Sequence, residues 1–346
     1  MRSGSLAVVA CVAAAAILAG CGGSGGVSDS VESSGSGATG LPTSIPLGTD
    51  QPVDVEGEVI IYRNTIEADA VASTLDHART FSLDYDASVD SVIAIGCADD
   101  GSTAAYLLEN GVTLESRVVI ADASGKREVP LRGEVLGVAI SPNGEKVAIA
   151  AYLPDNARGI LSLLDVESEE VTPVYNRSGT IGPPAWSPDS EKIVFHAMTD
   201  QDNQLFVYTL GANDAEQVTR SPMGAFSPDW SQDGSLIAFS SVTESGGSQI
   251  FTVPATGGDA TQLTSTQAFK ANPRWSPDGS SLAYVGTRTV PTASRLPMLS
   301  LHHNVGVFTS AADGGNEALF TDYAIDAWLL GWCKAGPWLG QGWTEQ

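Results

Sequence analysis

The stretch Arg274-Trp275-Ser276-Pro277-Asp278-Gly279 decides the fold, because the chain carries four versions of it. The others are Ala139-Ile140-Ser141-Pro142-Asn143-Gly144, Ala185-Trp186-Ser187-Pro188-Asp189-Ser190 and Asp229-Trp230-Ser231-Gln232-Asp233-Gly234. Their serines, at 141, 187, 231 and 276, recur every 44 to 46 residues. Ser-Pro-Asp-Gly supplies a turn initiator, a proline with preset φ, an aspartate and a closing glycine, which are the preferences of a type I turn. An apolar strand follows each turn: Val147-Ala148-Ile149, Ile193-Val194-Phe195, Leu236-Ile237-Ala238-Phe239 and Leu282-Ala283-Tyr284-Val285. Such runs are apolar on both faces, as strands sandwiched between two neighbours must be. A third strand appears at Leu205-Phe206-Val207-Tyr208 and Ile250-Phe251-Thr252-Val253, and a short fourth ends in Gln217-Val218-Thr219, Gln262-Leu263-Thr264 or Leu319-Phe320-Thr321. A period of this size predicts an all-β fold, a β-propeller with one four-stranded blade per repeat.

The ordered set W-S-P-D-G, apolar strand, I-F-x-V, G-G and Q-L-T resembles the PD40 repeat of TolB-like propellers. Good matches cover about 180–321, and weaker ones extend to roughly 80–334. The resemblance implies a module that presents loops and a central channel to a protein or peptide. TolB-like proteins also carry an N-terminal α/β domain and are soluble in the periplasm. Here a linker and a lipobox occupy that place, so a direct TolB role in a Tol-Pal system is not implied.

Turns near 86, 141, 187, 231, 276 and 325 predict six blades. Asp86-Ala87-Ser88-Val89 is read as the first turn, Val92-Ile93-Ala94-Ile95 as the second strand after it, and an insertion is expected before Val118-Val119-Ile120. Ala327-Trp328-Leu329-Leu330-Gly331-Trp332 opens a last blade that too few residues follow. The strand Glu58-Val59-Ile60-Ile61-Tyr62 is therefore expected to complete that blade, closing the ring and covering both open edges. Cys97 and Cys333 follow corresponding apolar segments of the first and last blades. Those blades are neighbours in a closed ring, and a disulfide between the two cysteines would staple the seam; buried free thiols are the alternative.

Residues 1–20 read as a lipoprotein signal peptide, with Arg2 as the positive region and Leu6 to Leu18 as an apolar region too short to span a membrane stably. Leu18-Ala19-Gly20-Cys21 matches the bacterial lipobox, which makes Cys21 the site of lipid attachment. Residues 21–57 are rich in Gly, Ser and Thr and read as a disordered tether. The propeller is expected over 58–346. These features predict an extracytoplasmic protein anchored to the cell membrane, on the outer face of the plasma membrane or on an outer membrane.

The balance of 17 Lys+Arg against 41 Asp+Glu gives a net charge of −24. Such a surface repels phosphate backbones, so nucleic acid is not an expected partner. The folded part has no G-x-S-x-G nucleophile elbow, P-loop, H-E-x-x-H, EF-hand loop or C-x-x-C. His302-His303 is a poor metal grip, because adjacent side chains in an extended segment point opposite ways. His196 is read as a hydrogen-bonding strand residue, and His77 has no motif around it. Trp186, Trp230 and Trp275 are read as packing residues, as are Trp328 and Trp332. Trp338 and Trp343 are less regular and are read as packing residues or, as the alternative, exposed aromatics for a partner or glycan. Asp200-Gln201-Asp202-Asn203 is a polar loop with the donors for a cation but the look of a solvated turn.

Two functions follow. The expected one is a non-catalytic envelope scaffold, without cofactor or metal, that acts as a monomer and binds an envelope protein or peptide while Cys21 holds it to the bilayer. The alternative is a propeller-fold polysaccharide lyase or glycosidase at the cell surface, which would need ionisable side chains converging on the channel.

Overall fold

The computed structural model describes residues 57–64, 69–83, 85–86, 88–244, 246–266, 268–287, 305–321, 327–341 and 343–345. These form six antiparallel sheets, the blades of a propeller. From the innermost strand outward, the first blade holds Asp90–Cys97, Thr103–Asn110, Ser116–Asp122 and Gly125–Pro130. The second holds Glu134–Ile140, Lys146–Leu153, Arg158–Asp165 and Val171–Ser178. The third holds Ala185–Trp186, Lys192–Met198, Asn203–Thr209 and Glu216–Gln217. In the fourth are Phe226–Trp230, Leu236–Val242, Ser248–Pro254 and Thr261–Gln262, and in the fifth Lys270–Trp275, Ser281–Thr287, Val305–Ala311 and Ala318–Leu319. Each innermost strand contacts those of both neighbouring blades, so the ring is closed.

The sixth blade is the seam. Its innermost strand is Ala327–Lys334, followed outward by Glu58–Asn64, Asp69–Thr74, Thr80–Leu83 and Trp343–Glu345. The expected closing strand is present and longer than expected, and two further N-terminal strands accompany it. The C-terminus supplies a fifth, outermost strand, tied by a two-pronged pair in which Arg79 donates to Glu345 at 2.6 and 2.8 Å. Cys97 and Cys333 end the innermost strands of the first and sixth blades, not second strands as the repeat alignment implied. In the structure their sulfurs are joined and their Cα atoms stand 5.8 Å apart, inside the usual disulfide range.

The first blade corrects the sequence reading. Asp86 lies in the connection that enters the blade, and Val92–Ile95 belongs to its innermost strand. The turn is Ala98-Asp99-Asp100-Gly101, in which Gly101 N–H donates to Ala98 C=O at 3.0 Å and Gly101 has φ +70°. The backbone needs only the left-handed glycine at this point, so the serine and proline of the motif can be lost without losing the turn. The second strand is Thr103–Asn110, and no insertion precedes Val118.

The core lies between blades rather than within one. Phe195 and Ile193 of the third blade pack with Ala148, Ala150 and Leu161 of the second, and Phe239 of the fourth packs with Leu205 of the third. Second and third strands stack aromatic rings at one repeat position: Phe195 on Phe206, Phe239 on Phe251 and Tyr284 on Phe308, with centroids 5.8 to 6.2 Å apart. Burying each such ring stabilises the fold by roughly 2–3 kcal/mol. In the fifth blade the ammonium of the buried Lys270 lies 4.8 to 4.9 Å from the Phe308 and Tyr284 centroids and pairs with Glu317. The charge is thereby satisfied rather than stranded.

Candidate functional site: the channel and its two faces

Strands alternate in direction, so the ring has two distinct faces. The first-to-second and third-to-fourth strand turns share one, here the turn face. The second-to-third loops and the blade-to-blade connections share the other, the loop face.

On the turn face, Ser231 Oγ donates to Asp233 at 2.7 Å and accepts the N–H of Leu236 at 2.9 Å. Ser276 repeats this with Asp278 and Ser281, at 2.6 and 3.0 Å. Ser235 N–H and hydroxyl hold the Asp233 carboxyl below the usual carboxylate range, with Ser231 adding to the effect. Ser276 does the same to Asp278, aided by Ser280. The glycines let turns pack blade on blade. A Cβ on Gly279 would stand 3.1 Å from the Gln232 side chain, and one on Gly314 would stand 2.5 Å from the Leu263 carbonyl oxygen. The Gln and Thr of the fourth strand are likewise consumed. Thr264 Oγ1 accepts the N–H of Ile250 at 3.0 Å and donates to Gln249 at 2.8 Å, while Gln262 donates to the Thr264 carbonyl at 2.6 Å. Thr219 and Gln204 repeat the lock.

At the turn end of the channel, Gln232 Nε2 donates to Asp99 Oδ2 at 2.8 Å. These residues belong to the fourth and first blades, which stand opposite each other in a ring of six, so the bond bridges the mouth. Asp99 N–H also donates to Pro142 C=O at 2.9 Å, tying the bridge to the second blade.

Within the channel wall, Asp229 accepts the N–H of Trp275, in the next blade, at 2.7 Å. Burial pushes its carboxyl up to about 6, against the opposing influence of Arg274 and the N–H groups of Trp275 and Trp230. Carboxyl and guanidinium stand at equivalent positions of adjacent innermost strands, where the second and third blades have Ala139 and Ala185. Nearby, each innermost strand of the fourth and fifth blades bulges. Ser227 and Asn272 have φ +48° and +55° there, and their N–H groups reach back to His196 Nδ1 and Ser240 Oγ of the preceding blade at 3.3 Å. Burial pushes His196 down to about 4, so it is neutral and accepts. Its ring fills the space beside Gly182, where a Cβ would meet the ring at 1.6 Å.

His196 is thus the hydrogen-bonding strand residue the sequence suggested. His77 packs on Phe320 with ring centroids 4.4 Å apart. Trp186, Trp230 and Trp275 are buried packing residues. For Trp338 and Trp343 the structure takes the packing alternative and not the exposed one. Both are buried, packed edge to face at 5.9 Å in the cluster between the sixth and first blades. The chain turns inward after Lys334 to cover that seam, so its indoles are worth more as core than as surface. The loop at Asp200–Asn203 is closed on itself, with Thr199 Oγ1 donating to the Asp202 carbonyl at 2.7 Å. Among the described residues no group of three metal-ligating side chains converges. Cys21, His302 and His303 lie outside the described residues.

Asp99, Gln232, Asp229 and Arg274 were missed by motif reading. Their signal was available: each breaks its repeat, with Asp99 and Gln232 standing where three other turns carry proline.

Fold and channel together define a six-bladed propeller whose repeat residues are spent on holding blades together. Residues 101–310 match the PD40 family model, the TolB beta propeller domain, and the chain belongs to that family. It is 30% identical over 79 residues to the Tol-Pal system protein TolB of Alcanivorax borkumensis, a match spanning 22% of this chain and 18% of that protein. The fold is similar to TolB of Acinetobacter baumannii, with TM-score 0.63 and 16% identity, covering 80% of this chain and 66% of that one. A TolB candidate from Agrobacterium tumefaciens gives TM-score 0.56 and 18% identity, covering 84% and 97% of the two chains.

Proposed function

We propose that this protein is a lipid-tethered, extracytoplasmic module of the cell envelope whose propeller binds a protein or peptide without catalysing a reaction. In this reading residues 1–20 are the signal peptide, Cys21 carries the lipid, 21–57 form the tether and 58–346 the propeller. The observation that carries the binding role is the Asp99–Gln232 bridge across the turn end of the channel. With that mouth bridged and the turn residues committed to one another, a partner's access is through the loop face. Membership of the TolB propeller family supports a protein partner over a small substrate, and the acidic surface opposes nucleic acid.

Among the described residues, the group that most favours an enzyme is Asp229, since a carboxyl held near 6 suits general acid work. It is already engaged by Trp275 N–H and faced by Arg274, and proton transfer would need a substrate to displace both.

Two experiments test the proposal. Cys21→Ser should abolish incorporation of labelled palmitate and release the protein from membranes; continued acylation of the variant contradicts the anchor. Chemical cross-linking in intact cells should join the propeller to another envelope protein, and its yield should be unchanged by Asp229→Asn. Loss of adducts in that variant would return the channel carboxyl to the centre of the function.

A further inference from the structure

The most exposed apolar side chains of the described residues are Val112 at 79% and Leu114 at 69%. Both stand on the loop-face hairpin of the first blade, Asn110-Gly111-Val112-Thr113-Leu114-Glu115. A rigid frame holds them there. Asn110 Oδ1 accepts the N–H groups of Val112 and Thr113, both at 2.9 Å. Leu114 N–H donates to Asn110 C=O at 2.8 Å, and Thr113 Oγ1 donates to Glu115 at 3.2 Å. Leu114 has φ +59°, a conformation that disfavours a branched apolar side chain and that glycine or asparagine would adopt more readily. Two apolar groups are therefore displayed to water on a tip that has little freedom left to lose on binding.

At the base of the hairpin is a shallow cavity of about 230 Å³, lined by Asn110, Glu115, Ser116, Arg117, Pro130 and Leu131. Its one cation is already neutralised, since Arg117 pairs with Asp90 at 2.5 Å and with Glu128 at 3.1 Å. Glu115 adds a further carboxylate, and Glu109 and Glu134 lie close enough together to repel each other. Around the hairpin base the carboxylates of Asp90, Glu109, Glu115, Glu128 and Glu134 outnumber the cations Arg117 and Arg132.

We infer that this hairpin and cavity form a docking surface for an extended protein segment bearing lysine or arginine beside apolar side chains. Apolar groups of the segment cover Val112 and Leu114 and enter the cavity against Pro130 and Leu131, while its cations meet the carboxylates around them. Charge selects this occupant. A second copy of a chain with 41 acidic and 17 basic residues brings like charge to the contact, and an anionic membrane does the same. The inference rests on the protein-binding role proposed above and gives that role a place and a partner chemistry.

The test uses three labelled heptapeptides, alternating Leu-Lys, alternating Leu-Glu and alternating Lys-Gly, titrated by fluorescence anisotropy into the full-length protein. The comparison variant is Val112→Ser with Leu114→Asn, whose asparagine suits the backbone, with an unchanged melting temperature as its control. The Leu-Lys peptide should bind the wild type, and the variant should weaken it by about tenfold or more. The other two peptides should bind the wild type more weakly by a similar factor. Equal binding by wild type and variant, no binding of the Leu-Lys peptide, or equal binding of Leu-Glu overturns the inference. Tip-dependent binding to phosphatidylglycerol vesicles, or tip-dependent dimerisation, assigns the surface to another occupant and also overturns it. The wider binding role falls on a different result, the absence of any cross-linked protein partner in cells.

Discussion

The two faces of the propeller are built from the same strands but differ in what their residues are used for. On the turn face the serines and aspartates of the repeated first turns are hydrogen-bonded to one another, and blades touch backbone to backbone at some glycines, as at Gly314 and the Leu263 carbonyl, though Gly125 and Gly211 have open space. The seam is fastened at that face too, where Cys97 and Cys333 end their strands. On the loop face the connections differ from blade to blade, and the most exposed large apolar side chains stand on a hairpin tip. Stability is concentrated where the sequence repeats, and the capacity to bind is left where it does not.

The contrast can be broken most severely at the seam. A chain beginning at Thr80 loses the strands Glu58–Asn64 and Asp69–Thr74, leaving the last blade without its centre, and should aggregate, whereas one beginning at Gly57 should melt like the full protein. Light scattering and calorimetry compare them, and equal melting rules out closure by these strands.

Next in size is the staple. Replacing both Cys97 and Cys333 by serine frees a loop of 236 residues, for which the chain-entropy account gives about 5 kcal/mol as an upper figure. Guanidinium unfolding should show a lower midpoint for the variant. Thiol titration of the unfolded, non-reduced, delipidated protein should find no free thiol in the wild type.

His196 carries the pH dependence. Its folded pKa of about 4 lies below its ordinary 6.5, so the unfolded chain binds a proton that the folded chain refuses between those values. Stability present above pH 6.5 is lost as the solution is acidified toward 4, by up to about 3 kcal/mol. The gap between wild type and His196→Asn should narrow over that range in urea titrations. Asp229 has the opposite sign. Raised to about 6 from 3.8, it contributes stability below pH 3.8 that is lost as pH rises through 6, and the partial exposure of its side chain reduces the size of that effect. Asp229→Asn should remove this part of the profile.

Two glycines compare the faces directly. Gly314 and Gly246 have similar φ, +83° and +86°, but only Gly314 has a backbone oxygen against its missing Cβ. Each Gly→Ala change costs about 1 kcal/mol for its backbone conformation, and Gly314→Ala should cost about 2 kcal/mol more for displaced blade packing. Equal losses would mean the turn face is not close-packed. The smallest effect runs the other way. Ser190 sits at φ +61° where four other turns carry glycine. Ser190→Gly should stabilise by about 0.5 kcal/mol, because relief of the left-handed strain exceeds loss of the weak Asn143 N–H bond to its hydroxyl.

Much of the turn face was legible in the sequence, because Ser, Pro, Asp and Gly each have a local reason to stand where they do. The blade count followed from it. Ala98-Asp99-Asp100-Gly101 was misplaced because a turn can keep its backbone with glycine alone. The strand at Glu58 was visible as an unpaired apolar run, while Asp69–Thr74 and Thr80–Leu83 carry no period that announces them. Trp338 and Trp343 were left between packing and exposure for a related reason, since their partners Tyr106, Val119 and Ala121 lie more than 200 residues away. The candidate site was the least legible part. Asp229 and Arg274 meet only through ring closure, and Val112 and Leu114 fell in the stretch before Val118 that was expected to be an insertion, where no repeat marks them.

The claim that partners meet the loop face is tested most directly by placing a photo-crosslinking amino acid at one exposed position at a time in living cells. Val112 and Glu244 report the loop face, and Glu145 and Asn213 the turn face. Protein adducts should form from at least one loop-face position and from none on the turn face. Adducts from Glu145 or Asn213 alone, or from no position, would contradict the claim.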